Sequence, residues 1–178
     1  MIYTTKKEQT CSKEAVALDD MILTKEFPTT AGSKMLEGFT SLFDATVVEK
    51  LGDYEILGKV AVSEFALGMT ADSAVKALDE KQIKAVVGLD ANGSYRRSAA
   101  LSGKVFMKPT YGTVSRFGLI PVACSGDTVG VLACSADDCK EVLAAIAGHD
   151  DKDGTSLPEE ICQAAQKVQP IRKVAIVK

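Results

Sequence analysis

The strongest constraint on the fold is a strand, a turn and a helix encoded in succession around residue 94. Residues 83–88 form a short apolar run that is typical of a buried strand. Residues 90–93 are turn-forming types, and Ser94 then precedes a stretch of small residues that predicts a helix to about Ser102. A serine hydroxyl is therefore expected at a strand-to-helix turn, a geometry that suits a nucleophile. The backbone amides just before this serine lack bulky shielding and could face a developing oxyanion.

Apolar runs and helix signals alternate along the rest of the chain in the same way. A length of 178 residues is enough for one domain with a sizeable core, and we find no internal repeat, linker or low-complexity segment. Residues 1–178 are therefore predicted to form a single α/β domain with a mixed β-sheet flanked by helices. The further predicted strands are 15–18, 54–62, 105–107, 127–134 and 172–177. One further helix is predicted to be capped by Asp44, a second to begin at Asp72 or Ser73, a third at Ser135 and a fourth at Pro158.

Composition argues against several functional classes. A net charge of −3 gives no expectation of binding to nucleic acid or to an anionic membrane, and no apolar run is long enough to span a bilayer. The lone histidine cannot support a histidine-based metal cluster and no cysteine spacing is typical of a zinc site, so no metal or cofactor is expected. An odd number of cysteines without a CxxC pair favours a reduced, cytoplasmic setting. We expect Cys124, Cys134 and Cys139 to be small core residues; the other two cysteines are Cys11 and Cys162.

Several polar side chains near the predicted turn and helix ends have predicted structural roles. Asp90 and Arg96 are expected to form an ion pair that holds the turn, since an arginine fork suits a carboxylate; the alternative is a substrate clamp. Tyr95 and Arg97 are expected on an exposed face. His149 lies at the predicted end of a helix, where it is expected to satisfy terminal carbonyls.

A series of short matches gives the chain a resemblance to a known family. Residues 88–100 resemble the Gly-Ser-Asp-Thr-Gly-Gly-Ser-Ile-Arg-Gln-Pro-Ala signature of the amidase signature family. Residues 29–39, 44–51 and 147–156 are similar to further segments of that family, in the same order, and the similarity is greatest to its amidotransferase A subunits. Because members of the family are longer than this chain, the resemblance implies a truncated amidase-signature core.

The resemblance also implies roles for particular positions. The family's catalysis uses a nucleophilic serine, a serine in a cis peptide and a lysine that acts as base, because a free hydroxyl does not lose its proton readily at neutral pH. By this resemblance Ser94 holds the nucleophile position. The amides of the oxyanion hole fall at Ala91, Asn92 and Gly93.

The other two catalytic positions depart from the family's pattern. Asp19 stands where the family has its lysine, which reverses the local charge, and Met69 stands at the position of the cis serine. Thr70, one residue further on, could replace that serine only if the loop shifted. Asp19 could serve as a base only if it reached Ser94 directly or through a water molecule.

Two functions are compatible with this pattern. The first is a shortened protein similar to amidotransferase A subunits, with little or no amide hydrolysis and a binding, structural or regulatory role, for which a larger amidotransferase complex is a candidate partner. The alternative is an active amidohydrolase or glutaminase that supplies ammonia for tRNA-dependent amidation, in which Asp19 or a lysine of a neighbouring protomer is the base. A lysine within hydrogen-bond reach of Thr70 or Ser94 would favour this enzyme. A truncated sheet should also leave an edge strand or an apolar face uncovered, so a homo-oligomer is expected.

Overall fold

A mixed β-sheet lies at the centre of the structure, a computed structural model that describes residues 1–8 and 14–165. The strands within these residues are β1 (Tyr3–Lys6), β2 (Ala15–Asp19), β3 (Glu55–Val60), β4 (Ala85–Leu89), β5 (Val105–Met107) and β6 (Val129–Ala133). Their order across the sheet is β1-β3-β2-β4-β6-β5. Strand β2 pairs in parallel with β3 and β4, whereas the β1–β3, β4–β6 and β5–β6 pairs are antiparallel. The predicted mixed α/β architecture is therefore confirmed.

Helices cover both faces of this sheet. Successive side chains of a strand point to opposite faces, so Val16 and Leu18 of β2 join one apolar core and Ala17 joins the other. Because both faces are covered, every residue of β2 and of β4 is buried. The first core includes side chains of α1 (Thr46–Lys50) and α4 (Ala136–Ile146). The second core includes side chains of α2 (Asp72–Asp79) and α3 (Ser94–Ser102). Helix α5 (Glu159–Ala165) is the last of the described elements.

The order of the strands brings three segments of the candidate site to one edge of the sheet. Strands β2 and β4 are parallel neighbours, so their carboxyl ends, at Asp19 and Leu89, lie side by side. The turn after β4 leads directly into α3, which begins at Ser94. Crevices outside the carboxyl ends of parallel strands are the usual binding positions of α/β sheets.

Several predicted element boundaries are confirmed. Helix α2 begins at Asp72 and α5 directly follows Pro158. Ser135 is the N-cap of α4, where its hydroxyl accepts a hydrogen bond from the Asp138 amide at 3.1 Å. The predicted strand 172–177 lies outside the described residues.

The predicted capping role of Asp44 is wrong. Helix α1 has Ala45 as its N-cap, without a side-chain capping bond. The Asp44 carboxylate instead accepts a hydrogen bond from the Lys25 amide at 2.7 Å and pairs with the Lys25 ammonium at 3.1 Å. The carboxylate thus bonds to a residue 19 positions earlier in the chain and not to the amides of the helix that follows it. No local sequence pattern reveals such a contact.

The predicted role of His149 is also wrong. Its ring nitrogens contact the Leu157 carbonyl at 2.9 Å and the Asp151 carboxylate at 3.0 Å. The carbonyls at the end of α4, those of Ala147 and Gly148, accept hydrogen bonds from Lys50 at 3.1 and 3.2 Å. A lysine of α1 thus supplies the positive charge that this helix end favours.

Candidate functional site

Ser94 is the first residue of α3 and lies at the strand-to-helix turn. Gly93, the N-cap, has φ +91°, a left-handed conformation that glycine adopts without a steric penalty. The Ser94 side chain is buried, with 6% of the residue exposed. Its hydroxyl makes no capping bond and no hydrogen bond to any other described residue. The structure thus places an unpartnered hydroxyl at the position that the sequence indicates for a nucleophile.

Two of the backbone amides around Ser94 are already engaged within the turn. The Gly93 amide donates to Asp90 Oδ1 at 2.7 Å, and the Ser94 amide donates to Asn92 Oδ1 at 3.1 Å. The amides of Ala91 and Asn92 have no acceptor among the described residues. Of the three amides predicted for an oxyanion hole, that of Gly93 is engaged within the turn, and the role of the other two stays a prediction.

The turn is held by a buried carboxylate. Asp90 is fully buried, and its Oδ2 lies 2.6 Å from Arg96 Nε, while its Oδ1 accepts the Gly93 amide. Lys108 donates to the Asp90 carbonyl at 2.5 Å and to the Gly126 carbonyl at 3.2 Å. With both carboxylate oxygens bonded inside the protein, Asp90 and Arg96 serve to shape the turn.

Asp19 is a buried carboxylate at the end of β2. It accepts hydrogen bonds from the amides of Leu89 at 2.6 Å and Met21 at 2.9 Å, and the Tyr95 hydroxyl lies 3.4 Å away. Burial raises the pKa of Asp19 to about 6, although these two amides and the nearby Lys59 ammonium act in the opposite direction. Asp19 thus contacts β4 and α3 from within the core.

Asp20 and Lys59 form a buried ion pair directly beside Asp19. The Lys59 ammonium lies 3.0 Å from Asp20 Oδ1 and donates to Thr29 Oγ1 at 2.5 Å, and both charged side chains have no exposed surface. Burial lowers the pKa of Lys59, and the Asp20 carboxylate opposes that effect. No described lysine hydrogen-bonds to Thr70 or Ser94. Sequence reasoning missed this pair, although a lysine inside the apolar strand β3 is a signal for a buried partner.

The expectation that Tyr95 lies on an exposed face is wrong. Only 3% of Tyr95 is exposed, and its ring stacks on Phe106 with centroids 5.2 Å apart. It also lies on the backbone of Gly88, where an added Cβ would come within 2.2 Å of the ring. The first turn of α3 faces the sheet at this residue, whereas Arg97 is exposed as predicted.

A small cavity joins these groups. It has a volume of about 20 Å³, and its walls include Asp19, Thr70, Ser94 and Tyr95. None of the described lysines lines it. The Thr70 hydroxyl contacts the Asp72 carboxylate at 3.2 Å, and Met69 is 54% exposed. The structure thus brings Asp19 and Thr70 together with Ser94.

The cysteines are only partly core residues. Cys139 is buried as expected, but Cys124 and Cys134 are exposed, which corrects that prediction. Within residues 1–8 and 14–165 no group of three or more His, Cys, Asp or Glu side chains is arranged to hold a metal ion. No helix in that part of the chain has the length and apolar character needed to cross a bilayer.

The fold and this turn define an α/β protein with a serine at the carboxyl edge of parallel strands, and comparison with known proteins gives its family. The amidase family profile matches residues 15–77 and 81–178. The chain therefore belongs to the amidase family.

Its relatives include the A subunits of glutamyl-tRNA(Gln) amidotransferase from Acinetobacter baumannii and from Solidesulfovibrio magneticus. Each is 41% identical to this chain, and each match covers 82% of this chain and 35% of the relative. The chain thus spans about a third of the length of the curated relatives it matches.

Solved structures show the same fold. The glutamyl-tRNA(Gln) amidotransferase A subunit of Thermotoga maritima superimposes with a TM-score of 0.80 at 30% identity, over 87% of this chain and 41% of that one. The peptide amidase of Stenotrophomonas maltophilia superimposes with a TM-score of 0.73 at 30% identity, over 82% of this chain and 36% of that one.

Asp19 should make stability fall as the pH rises from about 4 to about 6. Its pKa is about 6 in the folded chain against an ordinary value of 3.8, so in this interval the folded state keeps a proton that the unfolded state has released. The loss should be on the order of 3 kcal/mol. Urea unfolding at several pH values measures this loss. The added salt is tetramethylammonium chloride, because its large cation cannot enter the protein beside Asp19 and offset the negative charge of the carboxylate. Asp19→Asn should abolish this component and the exposed Asp53→Asn should keep it; an unchanged pH profile in Asp19→Asn would contradict the assignment.

Proposed function

We propose that this chain is a protein similar to amidotransferase A subunits that hydrolyses amides poorly or not at all, and that it acts by binding or regulation. The observation that carries the proposal is the cavity beside Ser94. Its volume of about 20 Å³ admits one water-sized molecule, whereas small-molecule sites enclose about 300–1,000 Å³. A carboxamide side chain does not fit in that space.

The groups around Ser94 also lack a strong base. A serine hydroxyl needs a neighbouring group that takes its proton. Lys59 is bonded to Asp20 and Thr29, and Asp19 already accepts two backbone amides. No hydrogen bond joins Asp19 to Ser94, so this carboxylate is not in position to take the hydroxyl proton directly. The arrangement therefore supports a serine that stays protonated.

An assembly role is part of the same proposal. The relatives are named as subunits of an amidotransferase, and we propose that this chain also works in a complex in the cytoplasm. Apolar side chains are exposed along one short segment, with Met35 at 83% and Leu42 at 95%. Such exposure supports contact with another protein surface, including a second copy of this chain. Light scattering at micromolar concentration tests self-association, and a monomer would argue against the homo-oligomer.

Covalent labelling of the serine distinguishes the hydrolytic alternative from the proposed function. The chain is incubated with a fluorophosphonate and its intact mass is measured, together with the release of ammonia from glutamine. We expect no adduct and no ammonia above the level of Ser94→Ala, while an active amidase treated in parallel is labelled. An adduct that forms on the unaltered chain and is lost in Ser94→Ala would overturn the proposal and establish the amidohydrolase.

A further inference from the structure

The buried charges beside Ser94 do not balance. Among the described residues, Lys59 is the fully buried positive charge of this group, and it is paired with Asp20 at 3.0 Å. Asp19 is only 1% exposed and is the second carboxylate of the group. Its hydrogen-bond partners are two backbone amides and the Tyr95 hydroxyl, which carry no net charge. An ionised carboxylate in this position needs a counter-charge, because burying an unpaired charge is costly.

The cavity next to Asp19 has the size and lining that such a counter-charge needs. Its volume of about 20 Å³ is enough for one water-sized particle. Asp19 lines it together with four hydroxyl-bearing residues, Ser63, Thr70, Ser94 and Tyr95, and the rest of the lining is glycine and apolar side chains. Only 6% of Ser94 is exposed, and its hydroxyl makes no hydrogen bond to any other described residue. A hydroxyl without a protein partner in a polar cavity is available to a small ligand such as water or an ion.

We propose that this cavity binds one monovalent cation of about the size of a water molecule, potassium or ammonium. The Asp19 carboxylate is its counter-charge, and hydroxyl oxygens such as that of Ser94 complete its surroundings, since a hydroxyl offers two lone pairs. Calcium is disfavoured because its protein sites use several charged oxygen ligands, whereas this cavity offers the single carboxylate of Asp19. A large organic cation is excluded by the volume.

The other charged groups of the site permit this occupant. Lys59 opposes a cation, but its charge is neutralised by Asp20 at 3.0 Å. Asp90, at the start of the same turn, is paired with Arg96 at 2.6 Å. Asp19 and Asp20 thus share the one ammonium of Lys59, and Asp19 has no side-chain ion-pair contact of its own among the described residues. The proposal depends on this charge and on the cavity, and it holds whether or not the chain hydrolyses amides.

Thermal unfolding in matched salts tests the proposal. The full chain is unfolded at neutral pH in the chlorides of potassium, ammonium and tetramethylammonium at equal ionic strength. A cation that binds only the folded state raises Tm in proportion to its occupancy. We expect a Tm higher by about 2–4 °C in potassium or ammonium chloride than in tetramethylammonium chloride. Whichever of potassium and ammonium gives the higher Tm is the preferred cation.

Variants locate the effect. Asp19→Asn should remove the difference between the salts, and Asp53→Asn, at an exposed position, should keep it. Equal Tm values in all three salts would overturn the proposal, as would a difference that survives in Asp19→Asn. If Asp19→Asn does not fold, crystals of the unaltered chain soaked in a thallium(I) salt decide the matter: an anomalous peak beside Asp19 supports the site and an empty cavity refutes it.

Discussion

Replacing Lys59 by alanine will lower the free energy of unfolding by about 3–5 kcal/mol. The ammonium has no exposed surface and is bonded to Asp20 and Thr29. Without it, Asp20 and Asp19 are two buried carboxylates with no positive charge between them. Removing one partner of a buried pair leaves the other charge uncompensated, which is the source of the large effect. Urea denaturation followed by circular dichroism measures the loss.

Two controls make this result specific. Lys25→Ala breaks a pair in which the lysine is 62% exposed, so its cost should be below about 1 kcal/mol. The double variant Asp20→Asn with Lys59→Met removes both charges, and we expect it to recover part of the loss in Lys59→Ala. Equal losses in Lys59→Ala and Lys25→Ala would show that the buried pair is not important for stability.

Replacing Tyr95 by alanine will destabilise the fold by about 3–5 kcal/mol, as large-to-small changes of buried aromatic residues do. The ring is 3% exposed, stacks on Phe106 and covers the backbone of Gly88. Its removal takes away these contacts and leaves a cavity between α3 and the sheet, and both effects lower the free energy of unfolding. The midpoint and slope of urea unfolding give the magnitude.

The matched control for this variant is Tyr95→Phe. It keeps the ring and removes only a hydroxyl whose contact with Asp19 is a long one, at 3.4 Å. Its cost should be about 0.5–1.5 kcal/mol. A loss in Tyr95→Phe as large as that in Tyr95→Ala would mean that the hydroxyl, and not the packing of the ring, holds α3 in place.

The candidate site was predictable from sequence where its chemistry is local. The apolar run before Gly88 and the turn residues before Ser94 predict a strand, a turn and a helix, and the structure has β4 and α3 there. The cap at Ser135 was predictable for the same reason, because a capping hydroxyl contacts an amide three residues away.

Contacts between distant segments were not predictable in this way. A lysine near Thr70 or Ser94 would have favoured the enzyme, but Lys59 is paired with Asp20, which directly follows the neighbouring strand β2. The exposure of Tyr95 was wrongly predicted because a helix built from small residues gives no clear apolar face. Only the packing of α3 on β4 and β5 decides which side of that helix is buried.

By itself, the order of residues determined the alternation of strands and helices, the family of the chain and the place of Ser94 at a turn, because hydrophobic periodicity and turn chemistry act over a few neighbouring residues. The tertiary structure alone decided that Asp19, Thr70 and Ser94 share one water-sized cavity and that Lys59 is neutralised by Asp20. Those outcomes depend on the parallel pairing of β2 with β3 and β4, which joins residues far apart in the chain.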